Sequence, residues 1–509
     1  MYKPIRFFGQ PFRVETEQKV DRSHAAMENG ALIIRYQGAK LQILFGTDGW
    51  RGVIADNFTF ENLALVAQAT MDYLHKEGLA DRGLVIGYDR RFLSREFAEH
   101  VAGIAAGNGI KVWLSEGYAP TPAVSWAVHE RGAGAGVMIT ASHNPPRYNG
   151  FKVKESFGGS ARPTTTKTLE AMVAANIASS RPVVSVTLAE ALESGMLQLI
   201  DAAAPYLAQL GRYVDLDLIR KAGIKAVVDP MYGAGCGYLP HLVPGMAEIH
   251  GIENPSFGGH PPEPIAEHLV ELSELVLSSG YQVGLALDGD ADRIGAVDER
   301  GEFFSSHRIF TVLLRHLYER KGVRGGVVKT VSTTRMIDLL AAKYDLPIYE
   351  TPIGFKHICE LMLEHDILMG GEESGGLGVK GHIPERDGIL MALLLLEAMA
   401  MSGKGLRALL EETMDEIGHF HYARIDLPIA NGAKKELVQG LAAGGIGTIA
   451  GFDVAQHNFS DGFKYIFEDG SWLLIRPSGT EPVLRLYAEA NDPAKVATLL
   501  QAARGIAKV

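Results

Sequence analysis

The chain has 509 residues, of which 47% are hydrophobic and 21% charged, with a formal net charge of −11 at pH 7. A chain of this composition folds into several cores, at about 150 residues per domain, which excludes a mainly disordered protein. An acidic surface gains no counterion release from nucleic acid or from an anionic membrane, which argues against both partners. Two cysteines exclude a disulfide framework, and no apolar run has the length of a membrane span, so we predict a cytoplasmic protein.

Residues 1–40 have no sustained hydrophobic period and are predicted to be an N-terminal extension. A disordered segment and an upstream choice of start site, with Met27 as the internal alternative, both remain open. Strand and helix patterns alternate from Leu41 onward. We place the domain boundaries so that four domains follow the extension, at 41–190, 191–305, 306–420 and 421–509.

Apolar strands that end in polar loops recur along the chain. In the first unit they are predicted at 84–89, 110–114 and 136–140. The later ones are predicted at 224–230, 283–290, 325–330 and 366–376. Strands that alternate with helices favour βαβ units, so we predict three tandem α/β domains with mixed, mostly parallel sheets. After 419–432, strands joined by an Asp-Gly turn predict a smaller α+β domain.

The first motif is the loop TASHNPPRYNGFKV at 140–153. Ser142 follows a predicted strand, at the edge where open α/β sheets bind ligands. The prolines that follow prevent an immediate helix, which leaves the serine on an exposed loop. His143 and Lys152 supply an acid/base group and a cation nearby. The G-x-S-x-G motif of α/β-hydrolases is absent, and a surface turn remains the alternative.

The second motif is LALDGDADRIG at 285–295, in which Asp288, Asp290 and Asp292 directly follow an apolar strand. Three close carboxylates repel one another unless a hard cation such as Mg²⁺ or Ca²⁺ lies between them. An EF-hand is excluded because Arg293 occupies the position of its required glycine. A phosphatase with Asp288 as nucleophile and a solvated acidic turn remain alternatives.

The third motif is GGEESGG at 370–376, a glycine-flanked loop after a predicted strand. Its Glu372 and Ser374 could hydrogen-bond the hydroxyls of a sugar, because a carboxylate accepts strongly from such groups. A flexible loop explains the same residues equally well.

The fourth motif is IRPSGTEPVLRLY at 475–487. Its polar groups and backbone amides could surround a phosphate. These residues are Arg476, Ser478, Gly479 and Thr480. The signature of a nucleotide P-loop is absent, and a turn between strands is the alternative.

In this order, and together with FGTDGWRG at 45–52 and TPIGFK at 351–356, the loops resemble the α-D-phosphohexomutase family. The resemblance extends from about residue 41 to the end. Within the family, these motifs are most similar to those of phosphoglucomutases and phosphoglucomutase/phosphomannomutases. The resemblance implies four domains around one central cleft, with one motif from each domain.

The resemblance also implies roles for individual residues. Ser142 would carry a phosphoryl group, and one Mg²⁺ per chain would be bound by Asp288, Asp290, Asp292 and an oxygen of the phosphoserine. The residues near the transferred group would be Arg51, His143, Lys152 and Arg293. The substrate contacts would be Lys356, Glu372, Ser374, Arg476, Ser478, Gly479 and Thr480.

The implied reaction interconverts hexose 1-phosphate and hexose 6-phosphate through a 1,6-bisphosphate, with glucose 1,6-bisphosphate as activator or primer. The partners would be small sugar phosphates, and the protein a monomer or homodimer. Gly376 stands where some phosphomannomutase-like members have a histidine, which favours glucose over mannose. Phosphoglucosamine mutase and phosphopentomutase remain alternatives within the family. A catalytically silent sugar-phosphate-binding protein is the alternative of another class.

Overall fold

The computed structural model describes residues 25–28, 31–34, 43–46, 48–478 and 482–508. They form three consecutive α/β domains and a C-terminal α+β domain, so the fold class predicted from the sequence is confirmed. The exact domain boundaries stay a prediction. Of the predicted extension, Ala25–Glu28 (β1) and Ala31–Ile34 (β2) pair with each other, and β2 pairs with Val183–Ser185 (β8) of the first domain. The rest of 1–40 lies outside the described residues.

The first domain is built on a six-stranded mixed sheet of order β3-β7-β6-β4-β5-β9. The central strands β6, β4, β5 and β9 are parallel, whereas β3 and β7 run antiparallel at one side. Its strands are Trp50–Val53 (β3), Leu84–Tyr88 (β4), Val112–Ser115 (β5), Ala135–Ile139 (β6), Tyr148–Glu155 (β7) and Leu197–Ile200 (β9). Its helices are Phe60–Lys76 (α1), Ser94–Gly107 (α2), Thr121–Arg131 (α3), Pro163–Ala178 (α4) and Leu188–Glu193 (α5).

The second domain has a five-stranded sheet of order β11-β10-β12-β13-β14, parallel across β11, β10 and β12 and antiparallel beyond. Its strands are Ala226–Asp229 (β10), Ala247–Glu248 (β11), Val283–Leu287 (β12), Ile294–Val297 (β13) and Phe303–Phe304 (β14). Its helices are Ala203–Tyr213 (α6), Leu216–Ala222 (α7), Tyr238–Leu242 (α8) and Val270–Ser279 (α9). The predicted strand at 283–290 ends at Leu287, because the acidic residues that follow form a turn.

The third domain has the strand order β16-β15-β17-β18. The strands are Gly326–Thr330 (β15), Ile348–Thr351 (β16), Ile367–Gly371 (β17) and Leu377–Val379 (β18). The helices are Ser306–Arg315 (α10), Met336–Lys343 (α11), Phe355–Glu364 (α12), Gly388–Ser402 (α13) and Leu406–Ile417 (α14). Leu390, Leu393 and Leu394 of α13 are fully buried, and one hydrophobic core runs from the second domain into the third around this helix.

The C-terminal domain has an antiparallel sheet of order β19-β24-β23-β22-β21-β20. Its strands are His421–Pro428 (β19), Thr448–Ile449 (β20), Phe452–Asn458 (β21), Phe463–Phe467 (β22), Trp472–Pro477 (β23) and Val483–Ala490 (β24), and its helices are Asn431–Ala443 (α15) and Pro493–Ala507 (α16). Gly470 of the predicted Asp-Gly turn has φ of 75° between β22 and β23, a conformation that glycine adopts without strain. The domain has its own core, with Tyr465, Leu473 and Leu486 fully buried.

No single helix among the described residues is long and apolar enough to cross a membrane. Only α13 and α14 taken together reach that length and composition, and they are bent by 79° at the break between them.

Candidate active site

Three of the predicted motifs begin at the ends of buried strands and meet at one place. The serine loop follows β6, the acidic loop follows β12, and the loop with Glu372 follows β17. The amide of Thr121 donates to the Asp290 carbonyl at 2.9 Å, which joins the first and second domains. A β-bridge between Arg293 and Gly376 joins the second domain to the third. The predicted site residues from three domains therefore converge.

Ser142 is fully buried against the acidic loop. Its φ of 51° lies in the left-handed region, which is uncommon for a non-glycine residue and is characteristic of constrained functional loops. Its hydroxyl donates to Asp288 Oδ2 at 2.7 Å, and its amide donates to Thr140 Oγ1 at 2.9 Å. A Cβ atom on Gly289 would lie 2.5 Å from the Ser142 carbonyl oxygen, so glycine is needed where the two loops touch.

A single buried guanidinium holds the serine loop in shape. Arg91 donates to four backbone carbonyls of that loop at 2.5 to 3.1 Å. The accepting carbonyls are those of Ser142, Asn144, Pro145 and Tyr148. Arg91 itself pairs with the buried carboxylate of Asp89 at 3.2 Å. Because one charged donor binds four carbonyls of the same loop, the loop keeps its shape without a ligand.

The three aspartates of the acidic loop form a cluster that could hold a metal ion. Asp288, Asp290 and Asp292 are fully buried, and each offers one carboxylate oxygen within 4.8 Å of the other two. The Oδ1 atoms of Asp290 and Asp292 are buried without a hydrogen-bond partner among the described residues. Burial and the charges of the other two carboxylates raise the pKa of Asp288 well above its usual range. Oxygen-only donors with unsatisfied atoms fit a hard divalent cation such as Mg²⁺.

Lys152 lies against this cluster and carries the main compensating charge. Its Nζ is 2.8 Å from Asp290 Oδ2, 3.0 Å from Asp292 Oδ2 and 2.7 Å from Asp48 Oδ2. Burial lowers the pKa of Lys152, but the three carboxylates outweigh it and raise the pKa above its usual value. For Asp290, burial raises the pKa, and the Lys152 ammonium reverses the effect and lowers it. Lys152 is therefore charged and Asp290 ionised at neutral pH.

Arg386 connects the aspartates to the loop that contains Glu372. Its Nη2 is 2.7 Å from Asp292 Oδ2 and also pairs with Asp48, while its Nη1 is 3.8 Å from Glu372 Oε2. Glu372 is buried, and its Oε1 accepts from the Gly354 amide at 2.9 Å. Burial raises the pKa of Glu372.

The other residues predicted near the transferred group surround Ser142. Arg51 Nη1 donates to Asn144 Oδ1 at 2.5 Å. His143 Nδ1 is 3.4 Å from Ser142 Oγ, and burial together with the neighbouring cations lowers the pKa of His143 well below its usual value, so its imidazole is neutral. Arg293 donates through its amide to Asp288 Oδ1 at 3.1 Å, and its Nε lies 3.8 Å from Asp292 Oδ1.

The remaining residues predicted to contact the substrate lie in the third and C-terminal domains. Ser374 is half-buried in the Glu372 loop, and Lys356 is half-buried at the start of α12. Arg476, at the end of β23, pairs with Asp461 of its own domain at 2.8 Å. The Ser478 amide donates to the Val483 carbonyl at 2.9 Å. Gly479 and Thr480 lie outside the described residues, and their part stays a prediction.

Three charged residues of this site, with side chains at most 5% exposed, were not predicted from the sequence. Asp48 lies inside FGTDGWRG, a segment that contributed to the family resemblance, but only Arg51 of that segment was predicted to be a site residue. Arg91 and Arg386 follow ordinary loop patterns and gave no signal. Both act on residues that are distant along the chain, which no local pattern records.

Family models match the chain in four consecutive pieces, all of them phosphoglucomutase/phosphomannomutase domains. The alpha/beta/alpha domains I, II and III match residues 42–179, 204–301 and 305–417, and the C-terminal domain matches residues 430–506. The four matches follow the order of the four domains in the structure.

Relatives and solved structures agree with the family models. A phosphoglucomutase/phosphomannomutase of Thermococcus kodakarensis is 32% identical over 466 residues, covering 90% of this chain and 97% of the relative. A protein of Methanothermobacter thermautotrophicus assigned as a phosphoglucosamine mutase is 31% identical, covering 91% and 97%. The crystal structure of a Thermus thermophilus protein assigned as a phosphomannomutase has a TM-score of 0.80 at 35% identity, covering 92% of this chain and 100% of that one. The chain belongs to the phosphoglucomutase/phosphomannomutase family and is an isomerase of the phosphohexomutase type.

Proposed function

We propose that this enzyme interconverts hexose 1-phosphate and hexose 6-phosphate, with glucose as the preferred sugar and mannose as the second. The phosphoryl group would pass through Ser142 and a hexose 1,6-bisphosphate. One observation carries the proposal: the buried Ser142 hydroxyl lies 2.7 Å from Asp288. The cluster of that aspartate includes two carboxylate oxygens without a hydrogen-bond partner in the part of the chain that the structure describes. A protein that only bound sugar phosphates would need neither the strained serine nor the aspartate cluster. We further propose a cytoplasmic monomer or homodimer.

One Mg²⁺ would be bound by Asp288, Asp290, Asp292 and an oxygen of the phosphorylated Ser142. When bound, the ion neutralises charge on the transferred phosphoryl group.

The residues around Ser142 would position and neutralise the transferred group. Phosphoryl transfer depends on positioning and electrostatics more than on covalent catalysis. Lys152, Arg51 and Arg293 supply three cations, of which Lys152 is held by three carboxylates. When a sugar hydroxyl attacks, the bond between phosphorus and Ser142 Oγ breaks and the new oxygen–phosphorus bond forms. The attacking hydroxyl loses a proton and the departing Ser142 Oγ takes one up. The neutral His143 imidazole, 3.4 Å from Ser142 Oγ, would transfer that proton.

The two ends of the substrate would be held by different domains. Glu372 and Ser374 would bind the sugar hydroxyls, with Lys356 beside them. The phosphate that is not reacting would be bound by Arg476, Ser478, Gly479 and Thr480. Since either end of the sugar must reach Ser142, a phosphate site separate from the serine is required.

Mass spectrometry and turnover assays test this function. We expect phosphate on Ser142 in the purified enzyme, or after incubation with glucose 1,6-bisphosphate as primer, and none in Ser142→Ala. Net conversion of glucose 1-phosphate should follow in the presence of Mg²⁺. A protein that binds sugar phosphates without conversion would be the silent binder. Release of inorganic phosphate with phosphate on Asp288 would indicate the phosphatase.

Phosphoglucosamine mutase is the second candidate, because relatives that cover most of this chain are assigned that activity. The kcat/KM values for the 1-phosphates of glucose, mannose, glucosamine and ribose distinguish the candidates. The highest value for glucosamine would overturn the glucose assignment and leave the mutase chemistry intact.

A further inference from the structure

Two neighbouring glutamates of the loop after β17 point to different domains. Glu372 faces Gly354 and Arg386 in its own domain. Glu373 faces the C-terminal domain, where its Oε1 accepts from Tyr422 Oη at 3.1 Å and from Arg424 Nη1 at 3.1 Å. The loop proposed to bind the sugar is thus joined directly to the domain proposed to bind the distal phosphate.

Both sides of this contact are anchored. On the sugar-loop side, the Glu373 carbonyl accepts from Ser306 Oγ at 2.5 Å. On the other side, Asp426 binds the Arg424 guanidinium through two hydrogen bonds of 2.7 and 2.6 Å. Such bidentate pairs fix the orientation of the guanidinium. Glu373 and Arg424 are therefore held in place by their own domains before they meet.

The ion pairs continue as far as Arg485, on the strand that lies beside the one leading into the phosphate loop. Asp426 also accepts from Arg485 Nε at 3.4 Å. Arg485 lies directly opposite Arg476 in the pairing of β23 with β24. A row of charges on one face of the sheet thus leads from Glu373 through Arg424, Asp426 and Arg485 to Arg476.

The contact between Glu373 and Arg424 is partly exposed to solvent, as expected for a contact that opens and closes. The Glu373 side chain is 15% exposed and that of Arg424 is 32% exposed. A pair that keeps some water has a smaller desolvation penalty when it forms than a fully buried pair such as Lys152 and Asp290. When it breaks, water can solvate the separated charges.

We propose that Glu373, Tyr422 and Arg424 form an interdomain latch that sets the distance between the sugar loop and the distal-phosphate loop. Glu373 and Arg424 are positioning residues, which act through the placement of Arg476 and do not bind the substrate. This inference rests on the proposed function: a bisphosphate that must reverse its orientation has to be released by both loops without leaving the cleft. The latch keeps the C-terminal domain in place during that step.

The test measures bisphosphate released into solution per turnover in Glu373→Gln, Arg424→Gln and the double variant, with Mg²⁺ and glucose 1-phosphate. We expect each single variant to release about two- to fivefold more than wild type, as suits a partly exposed charge pair. The double variant should release no more than the singles, because both remove the same contact. Hydrogen exchange in β19 should rise in all three.

Arg315→Gln and Glu416→Gln are the matched controls, since they remove an ion pair of 2.7 Å and similar exposure that lies within the third domain. They should leave bisphosphate release and β19 exchange unchanged. A raised KM in Glu373→Gln with neither extra release nor faster exchange would make Glu373 a sugar ligand and overturn the latch. The latch would also be overturned if bisphosphate release in the double variant equalled the combined increases of the two single variants. If the proposed function is wrong, the wild-type enzyme will produce no bisphosphate. In that case the rate of hydrogen exchange in β19 still tests whether the contact holds the C-terminal domain.

Discussion

The site has a serine end, around Ser142 and the three aspartates, and a phosphate end, around Arg476, which we propose to bind the distal phosphate. The two ends differ in how their charged side chains are paired and buried. At the serine end, the side chains of Lys152 and Asp290 are 1% and 0% exposed. At the phosphate end, those of Arg476 and Asp461 are 12% and 22% exposed. Buried charges need fixed partners, and their removal is costly, whereas partly solvated pairs exchange partners cheaply. The first region therefore suits chemistry at one fixed point, and the second suits binding and release of a phosphate.

The hydrophobic cores follow the same division. One core runs continuously through the second and third domains. The C-terminal domain has a core of its own and meets the third domain through a small cluster of Val331, Trp472, Leu474 and Tyr487. Polar contacts such as the ion pair of Lys464 with Glu350 at 2.9 Å also cross that boundary. The C-terminal domain is therefore joined to the third domain by a smaller apolar contact than the one that joins the second and third domains, which favours independent movement.

The largest expected effect lies at the serine end. Ser142→Ala should abolish mutase turnover, because the phosphoryl group cannot be stored between the two half-reactions. Its stability should change little, since alanine fits the same backbone. The loss is the hydroxyl's bond to Asp288 at 2.7 Å and its longer contact with His143 Nδ1 at 3.4 Å. The measurements are net conversion of glucose 1-phosphate and the thermal midpoint. Turnover near that of wild type would contradict the phosphoserine mechanism, and Ser180→Ala, another serine with positive φ, serves as the control.

Asp290→Asn tests the aspartate cluster and should have the next largest effect. The variant removes a charge that pairs with Lys152 at 2.8 Å and lowers the affinity for Mg²⁺. Turnover and metal affinity should fall together, with partial rescue by excess Mg²⁺. Wild type treated with EDTA should be inactive until Mg²⁺ is restored. Asp56→Asn, at an exposed position, is the control. Full activity after rigorous removal of metal would contradict the metal assignment.

Arg476→Ala tests the phosphate end and should cost less. Loss of a charge-assisted, partly desolvated contact costs about 1.5–3 kcal/mol, or roughly a 10- to 150-fold loss of kcat/KM. Because every substrate has a distal phosphate, both directions of the reaction should slow equally, and more bisphosphate should escape. Arg95→Ala, on an exposed helix surface, is the control. An unchanged kcat/KM without added escape would mean that the loop at 477–482 is only a turn.

The sequence predicted the serine end better than the phosphate end. Ser142 and the three aspartates directly follow apolar strands, β6 in the first domain and β12 in the second. The strand pattern therefore predicts each loop at the ligand-binding edge of its own sheet, and the chemistry of the residues is specific. That the two edges meet depends on how the domains pack, which the strand pattern does not show. Lys152 was predicted because it lies in the same motif as Ser142 and supplies a cation nearby, and because the resemblance implies a position near the transferred group. Their roles stay predictions, although the structure places all five together.

Contacts between domains could not be predicted. Glu373 was overlooked beside Glu372, because the local sequence does not show that the two side chains face different domains. Arg91 and Arg386 gave no signal either, since each acts on a loop more than fifty residues away. Strand and helix periodicity reports burial within an element, and it contains no information on which distant element covers it.

The smallest expected effect is a loss of stability at acid pH that is confined to the interface with the C-terminal domain. His307 is buried in the third domain with its ring 4.4 Å from that of Tyr422 at the C-terminal interface. Burial lowers the pKa of His307 from 6.5 to about 4. The folded state keeps this imidazole neutral, whereas the unfolded chain takes up a proton below pH 6.5. Stability should therefore fall as the pH falls, by about 1 kcal/mol between pH 6.5 and about pH 5.5.

His100 in α2 is the internal comparison, because burial lowers its pKa to about 4 as well and it lies in the first domain. His307→Gln should remove the acid-induced rise of hydrogen exchange in β19 and leave that of α2 in place. His100→Gln should do the reverse. Separate responses would show that the C-terminal domain opens independently of the serine end. If either variant instead removed the acid-induced increase of hydrogen exchange in both β19 and α2, the two regions would open as one unit. The difference between their buried and exposed charges would then not be accompanied by a difference in stability.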